Sequence, residues 1–298
     1  MLDNRRLRTR AGCGPIFKEM HMTLRLRHFL LLLPVFVLEP RLAPAQARFQ
    51  TLAGDRGCEE GGWSREARYC EIRETTLPPS HGAVGVDASP NGGVKVEGWD
   101  RGEIRLRAKV VASADTEEDA RAIASEVRIE TGATIRAEGP SSESRRRWWV
   151  SYELWVPRRS DLSLRSENGG IAIAGVDGAI EFETTNGGVN LSGLAGKVSG
   201  HTTNGGVKLQ LEGTEWGGDG LDVETTNGGV NLSVPEGYNA HLETGTVNGG
   251  LRIDFPVSVQ GRLNLKDGQL RRLSTDLGSG GRSIRVTTTN GGVVVSKR

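Results

Sequence analysis

An Asn-Gly-Gly triplet recurs at Asn168, Asn186, Asn204, Asn227, Asn248 and Asn290, with spacings of 18, 18, 23, 21 and 42 residues. A period of this size marks a stacked architecture, because a unit of about 20 residues cannot bury its own apolar face and must share a neighbour's. The last gap is twice 21, which predicts a degenerate unit near Gln269, where LNLKDGQL keeps the alternation but lacks the triplet. A further copy at Asn91 precedes the main series.

Alignment on the asparagine exposes columns of constant chemistry. Six positions before it stand Leu162, Ile180, Val198, Leu221, Leu242 and Ile284; three after it stand Ile171, Val189, Val207, Val230, Leu251 and Val293. Ser166, Thr184, Thr202, Thr225, Thr246 and Thr288 occupy the position two before it. The pattern reads as two short strands per unit, inward at −6, −4, −2 and at +3, +5, with the parity switching at a glycine turn. In that turn the glycines allow a tight corner with positive φ, and the asparagine either bonds its own backbone or itself takes the left-handed conformation. Stacked hydroxyls at −2 are expected to bond one another or the turn amides. Asn-Gly between alternating segments is also a hairpin signal, so a series of antiparallel hairpins stays open beside the preferred β-solenoid.

The stretch before the array is mixed. Val94/Val96 and Ile104/Leu106 alternate as strands do, whereas DTEEDARAIASEV places acids in a first turn and Ala120, Ile123, Ala124 and Val127 on one face, predicting a helix over Thr116–Arg128. RWWVSYELWVP reads as a strand closed by Pro157. The fold class is therefore mainly β: a β-solenoid of Asn-Gly-Gly repeats preceded by a small mixed α/β region with one helix. The expected divisions are 1–47 leader, 48–82 an N-terminal segment held by a disulfide, 83–157 the mixed domain and 158–298 the array.

Within the leader, Arg25, Arg27 and His28 precede the apolar run Phe29–Leu38, and Ala45-Gln46-Ala47 has the small-x-small form of a cleavage site. That order predicts a secretory signal peptide, and the run is short for a membrane span. Removing it takes eight of the 38 Lys and Arg with three of the 37 acids, leaving 30 basic against 34 acidic side chains, so no basic domain suited to nucleic acid remains. It also removes Cys13, leaving Cys58 and Cys70 as an even pair for a disulfide in an oxidising compartment. Export to the periplasm, cell envelope or exterior is the expected location.

NGGVKVEGWDRGEIRLRAKV, DTEEDARAIA, SYELWVPRRSDLSLRSENGG and the serial TTNGGVNLSG, TTNGGVKLQL and TTNGGVNLSV units resemble, over about residues 82–298, the bacterial putative adhesin family with a DUF4097-type domain. The resemblance implies a glycine-rich exported β-solenoid with a surface or periplasmic role, and it brings no residue-level site. Lack of the triplet at Gln269 departs from the family pattern.

For chemistry, the outward column at −3 holds Glu183, His201 and Glu224, an imidazole between carboxylates on successive rungs; a solvated mixed-charge face is the better reading, because no nucleophile or oxyanion site accompanies it. His81 and His241 read as a loop and an outward surface residue. No metal or cofactor motif stands out. Trp148, Trp149, Tyr152 and Trp155 form the candidate interaction cluster, with packing at the head of the array as the competing role. The expected function is a non-enzymatic, adhesin-like or envelope-scaffolding protein presenting a repeat surface to an envelope protein, surface protein or polysaccharide. The alternatives are a polysaccharide-binding or polysaccharide-cleaving β-helix and an assembly or sensor module of an envelope complex.

Overall fold

Alternation becomes strand along most of the chain in a computed structural model that describes residues 47–52, 58, 66–254, 264–266 and 269–298. The leader expectation therefore falls, up to residue 46, outside the described residues. Gln50–Leu52 (β1), Ala67–Leu77 (β2), Val84–Asp87 (β3), Val94–Trp99 (β4) and Ile104–Ala114 (β5) precede the helix Glu117–Glu126 (α1). Arg128–Thr131 (β6), Thr134–Glu138 (β7) and Arg147–Pro157 (β8) follow it. The array supplies Leu162–Ser166 (β9), Ile171–Ala174 (β10), Asp177–Thr184 (β11), Val189–Ser192 (β12), Ala195–Asn204 (β13), Val207–Gln210 (β14), Gly220–Asn227 (β15) and Val230–Val234 (β16). It ends with Ala240–Asn248 (β17), Leu251–Ile253 (β18), Asn264–Lys266 (β19), Gln269–Leu277 (β20), Ser283–Asn290 (β21) and Val293–Lys297 (β22).

Two sheets face each other across one core. The first runs β1-β2-β5-β8-β4-β10-β12-β14-β16-β22-β18 and the second β19-β20-β17-β21-β15-β13-β11-β9-β3-β7-β6. Each repeat lays a strand in the second sheet, turns at Asn-Gly-Gly, lays a short strand in the first, and returns through a second corner. Like columns pair in parallel: Thr184 opposite Thr202, Thr202 opposite Thr225, Val189 opposite Val207. This pairing is that of stacked rungs, not of hairpins. The predicted inward columns form the core, with Ile180, Val198, Val189 and Val207 each 1% exposed. Burying such a side chain fully stabilises by about 1.5–3 kcal/mol.

Thr116 caps α1, its hydroxyl accepting the Asp119 N–H at 3.1 Å, and Ala120, Ile123 and Ala124 face the core. At the other end Arg73 of β2 donates to the carbonyls of Val127 and Ala124 at 2.5 and 2.7 Å, adding a second donor to the Ala124 oxygen that already accepts the Val127 N–H at 3.2 Å. Cys58 and Cys70 are joined by a disulfide, their Cα atoms 5.7 Å apart.

Residue 157 is not a break in either sheet. β4 lies between β8 and β10, and β3 between β9 and β7, so the mixed region supplies the first strands of both stacks. Asn91 accordingly stands in line with the array asparagines, accepting the Asn168 side-chain N–H at 3.1 Å.

The corner works differently from the sequence expectation. The triplet glycines do not have positive φ; left-handed glycines sit at the opposite corner, as at Gly175 (φ 65°) and Gly193 (φ 55°). The first glycine of each triplet is required by closeness: a Cβ on Gly187 would lie 2.1 Å from the Gly169 carbonyl oxygen, and one on Gly205 1.9 Å from that of Gly187. The asparagines form a ladder rather than bonding their own backbones. Asn186 donates to Asn168 at 2.7 Å, Asn204 to Asn186 at 2.8 Å and Asn227 to Asn204 at 2.9 Å. The −2 hydroxyls bond neither one another nor amides: Thr184, Thr202 and Thr225 donate to the first-glycine carbonyl of the preceding rung at 2.9, 2.8 and 2.7 Å.

The order of the last rungs is not the order of the chain. β21 and β22 insert between β15 and β17 and between β16 and β18, with Thr288 opposite both Thr225 and Thr246. The Gln269 segment is therefore no degenerate rung: β20 runs antiparallel along the outer side of β17. Nor do Val293–Val295 form an open edge, since β22 is flanked on both sides.

Candidate functional site

Because inward and outward residues alternate, each sheet turns rows of registered polar side chains to solvent. On the second sheet, β15, β21, β17 and β20 place Glu224, Thr287, Gly245 and Arg272 in one row and Asp222, Arg285, Glu243 and Ser274 in the next. Thr287 and Gly245 are small between longer neighbours, and a groove of about 610 Å³ opens there. Gly245 is fixed by crowding, since a Cβ would lie 2.6 Å from the Arg271 carbonyl oxygen.

Charges in the groove are largely engaged with one another. Arg285 donates to Asp222 at 2.6 Å and pairs with Glu224 at 2.5 Å; burial works against its charge, but these hydrogen bonds outweigh it and its pKa is raised. His241, opposite Asp276 on β20, has Nδ1 2.7 Å from Asp276 Oδ1 and Nε2 3.1 Å from Ser274 Oγ. Glu243 Oε1 lies 3.6 Å from the same Nε2.

The predicted row Glu183–His201–Glu224 is assembled in register but not in chemistry. Glu183 pairs with Arg165 at 2.9 Å and Glu224 with Arg285, while His201 Nε2 reaches the hydroxyls of Thr203 and Thr226 at 3.5 Å. His201 and Glu224 line the groove; Glu183 lies outside it. Ser274 and Asp276 fall outside the repeat columns, because they belong to the segment without the triplet. Their spacing of two on a strand, which puts both on one face, is the signal that was available.

The aromatic cluster divides between the faces of β8. Tyr152 is core, 2% exposed; its hydroxyl has no hydrogen-bond partner among the described residues, and burial first, then the charge of Asp87, pushes its pKa up. Trp148 is half-buried and donates its indole N–H to the Pro140 carbonyl at 2.7 Å. Trp149 and Trp155 stand on the outer face, with guanidinium carbons of Arg68 and Arg105 at 5.9 and 4.9 Å from the ring centroids. Beside them a hollow of about 400 Å³ lies over Gly93, Gly170 and Ala172. Lys95 borders it, and its pKa is raised by hydrogen bonds to Glu153 and Glu97. The asparagines at the corners serve the ladder described above.

Among the described residues no group of three or more His, Cys, Asp or Glu side chains could hold a metal ion, and no helix is long and apolar enough to cross a membrane.

No curated protein matches the chain in sequence. Among solved structures, a putative cell adhesion protein from Clostridium sporogenes ATCC 15579 is 13% identical with a TM-score of 0.33, covering 78% of this chain and 100% of its own. A putative adhesin from Bacteroides fragilis NCTC 9343 is 10% identical with a TM-score of 0.31, covering 76% of this chain and 97% of its own. The family described as Toastrack DUF4097 matches residues 99–296, which span the helix, the whole array and the inserted last rung, and the chain belongs to that family.

Proposed function

We propose that this is an exported adhesin-like or envelope-scaffolding protein that works by presenting its stacked rungs to an extended partner, a polysaccharide or surface protein of the cell envelope. The observation that carries this reading is the groove across β15, β21, β17 and β20, where hydroxyls, carboxylates and guanidinium groups line an open channel of about 610 Å³. Such a surface offers many weak polar contacts at the strand spacing of about 4.8 Å, which suits a polymer better than a compact ligand. The signal-peptide pattern of the leader and the Cys58–Cys70 disulfide support export.

The test is retention by isolated cell-envelope material of wild type, of Thr287→Trp, which fills the groove, and of Asn231→Trp, which adds the same bulk to the outer face of the first sheet. Loss with Thr287→Trp alone is the expected result. Equal retention of all three removes the groove from the interaction.

A further inference from the structure

The groove contains a constellation that interaction alone does not use. Ser274 and Asp276 project from one face of β20, and the His241 ring bridges them from β17, with Nδ1 2.7 Å from the carboxylate and Nε2 3.1 Å from the hydroxyl. A carboxylate only accepts, so Nδ1 must carry the proton and donate to Asp276. That tautomer leaves the Nε2 lone pair facing Ser274 Oγ, the arrangement in which an imidazole can take a hydroxyl proton. Ser274 is exposed on the groove wall, and Arg272, two residues earlier on the same face, lines the same groove.

We propose that Ser274, His241 and Asp276 form an ester-hydrolysing centre acting on O-acyl groups carried by the polymer in the groove. The polymer part rests on the interaction reading above; the chemistry does not. Ser274 Oγ attacks the acyl carbonyl carbon as its proton passes to His241 Nε2. The ester C–O bond then breaks, the alcohol leaves with that proton, and the acyl group stays on Oγ. Water attacks this second ester, giving its proton to Nε2; the bond to Oγ breaks, Oγ recovers the proton and the carboxylic acid departs. Asp276 holds the ring in the required tautomer and faces the charge it carries between the transfers, while Glu243 lies 3.6 Å from Nε2 on the groove side. Arg272 is the cation available to the oxyanion.

The experiment treats the full chain with an alkyl fluorophosphonate, maps the adduct by peptide mass, and follows hydrolysis of p-nitrophenyl acetate. The expected result is an adduct on Ser274 and a rate that falls about 100-fold in Ser274→Ala and His241→Gln, the scale of a positioned general base. Asp276→Asn should lower the rate and change its pH profile. Ser274→Ala removes one exposed hydroxyl, so an unchanged melting temperature excludes misfolding as the cause. No adduct on Ser274, or equal hydrolysis by wild type and Ser274→Ala, overturns the proposal. Ester cleavage without envelope retention overturns only the interaction reading, and envelope retention by a protein without Ser274-dependent cleavage overturns only this one.

Discussion

Asn290 donates its side-chain N–H to Asn227, 63 residues earlier, at 2.8 Å, and accepts one from Asn248 at 2.8 Å. The last rung of the chain is thus an interior rung of the stack. Assembly must leave a place for it between β15 and β17, or open that place late, because parallel neighbours on both sides complete its backbone hydrogen bonds.

Deleting residues 282–298 should therefore expose an interior face rather than trim an end. Hydrogen exchange is expected to show lost protection in β17, β18 and β20 together, with β9–β14 retaining theirs. Protection of β17 equal to wild type would contradict the inserted-rung arrangement.

The two glycines of a triplet should differ sharply. Gly187→Ala places a Cβ 2.1 Å from the Gly169 carbonyl oxygen, backbone that cannot yield without spreading the rungs, whereas the nearest atom to a Cβ on Gly188 is 3.6 Å away. Denaturant unfolding is expected to show a loss above about 3 kcal/mol for the first and under about 1 kcal/mol for the second. Similar costs at both positions would return the glycines to a conformational role.

The hydroxyl column carries an internal control. Thr202 is fully buried and donates to Gly187 at 2.8 Å, so Thr202→Val leaves that carbonyl short of a partner and should cost about 1–2 kcal/mol. Thr246 occupies the same column, but its buried hydroxyl has no hydrogen-bond partner among the described residues, and Thr246→Val should be neutral or stabilising. Thermal unfolding of the two variants side by side checks the contrast.

Alkaline stability should fall early. Burial, with the charge of Glu215 adding to it, pushes the Tyr238 phenol up to about 12, against about 10 for an unfolded tyrosine. Between those values the unfolded chain has lost the proton and the folded one retains it, so stability is full below about pH 10 and declines toward about pH 12. Tyr238→Phe should flatten that decline. Tyr152→Phe should act in the same direction and, by removing a buried hydroxyl without a partner among the described residues, should not lower stability at neutral pH. Urea unfolding between neutrality and pH 11 measures both.

Much of the fold is legible in the sequence because it is local or periodic. Alternation places Ile180, Val198 and Leu221 inside without reference to anything distant, and Thr116 caps its helix through a residue three positions away. The corner was harder to read. Asn-Gly-Gly is compatible with a left-handed turn, a hairpin or a close approach between neighbouring rungs, and only the neighbour's carbonyl oxygen decides among them. The candidate site was less legible still: His201 and Glu224 fall in a column, but His241, Ser274 and Asp276 meet through an antiparallel pairing in a segment whose sequence suggests one more rung.

By itself the sequence determines the rung: which side chains face inward, where the chain turns, and that like units must stack to cover their apolar faces. It does not determine which rung lies beside which, because Ile284, Val286 and Thr288 present the same inward chemistry as Leu221, Val223 and Thr225, and any unit fits beside any other. Tertiary structure settled that degeneracy by inserting the last unit between its predecessors and leaving β20 to pair antiparallel at the side. The physical reason is that column identity fixes register within a pair of strands, while the choice of neighbour depends on connection lengths and on the backbone groups each strand leaves unpaired, which no single repeat encodes.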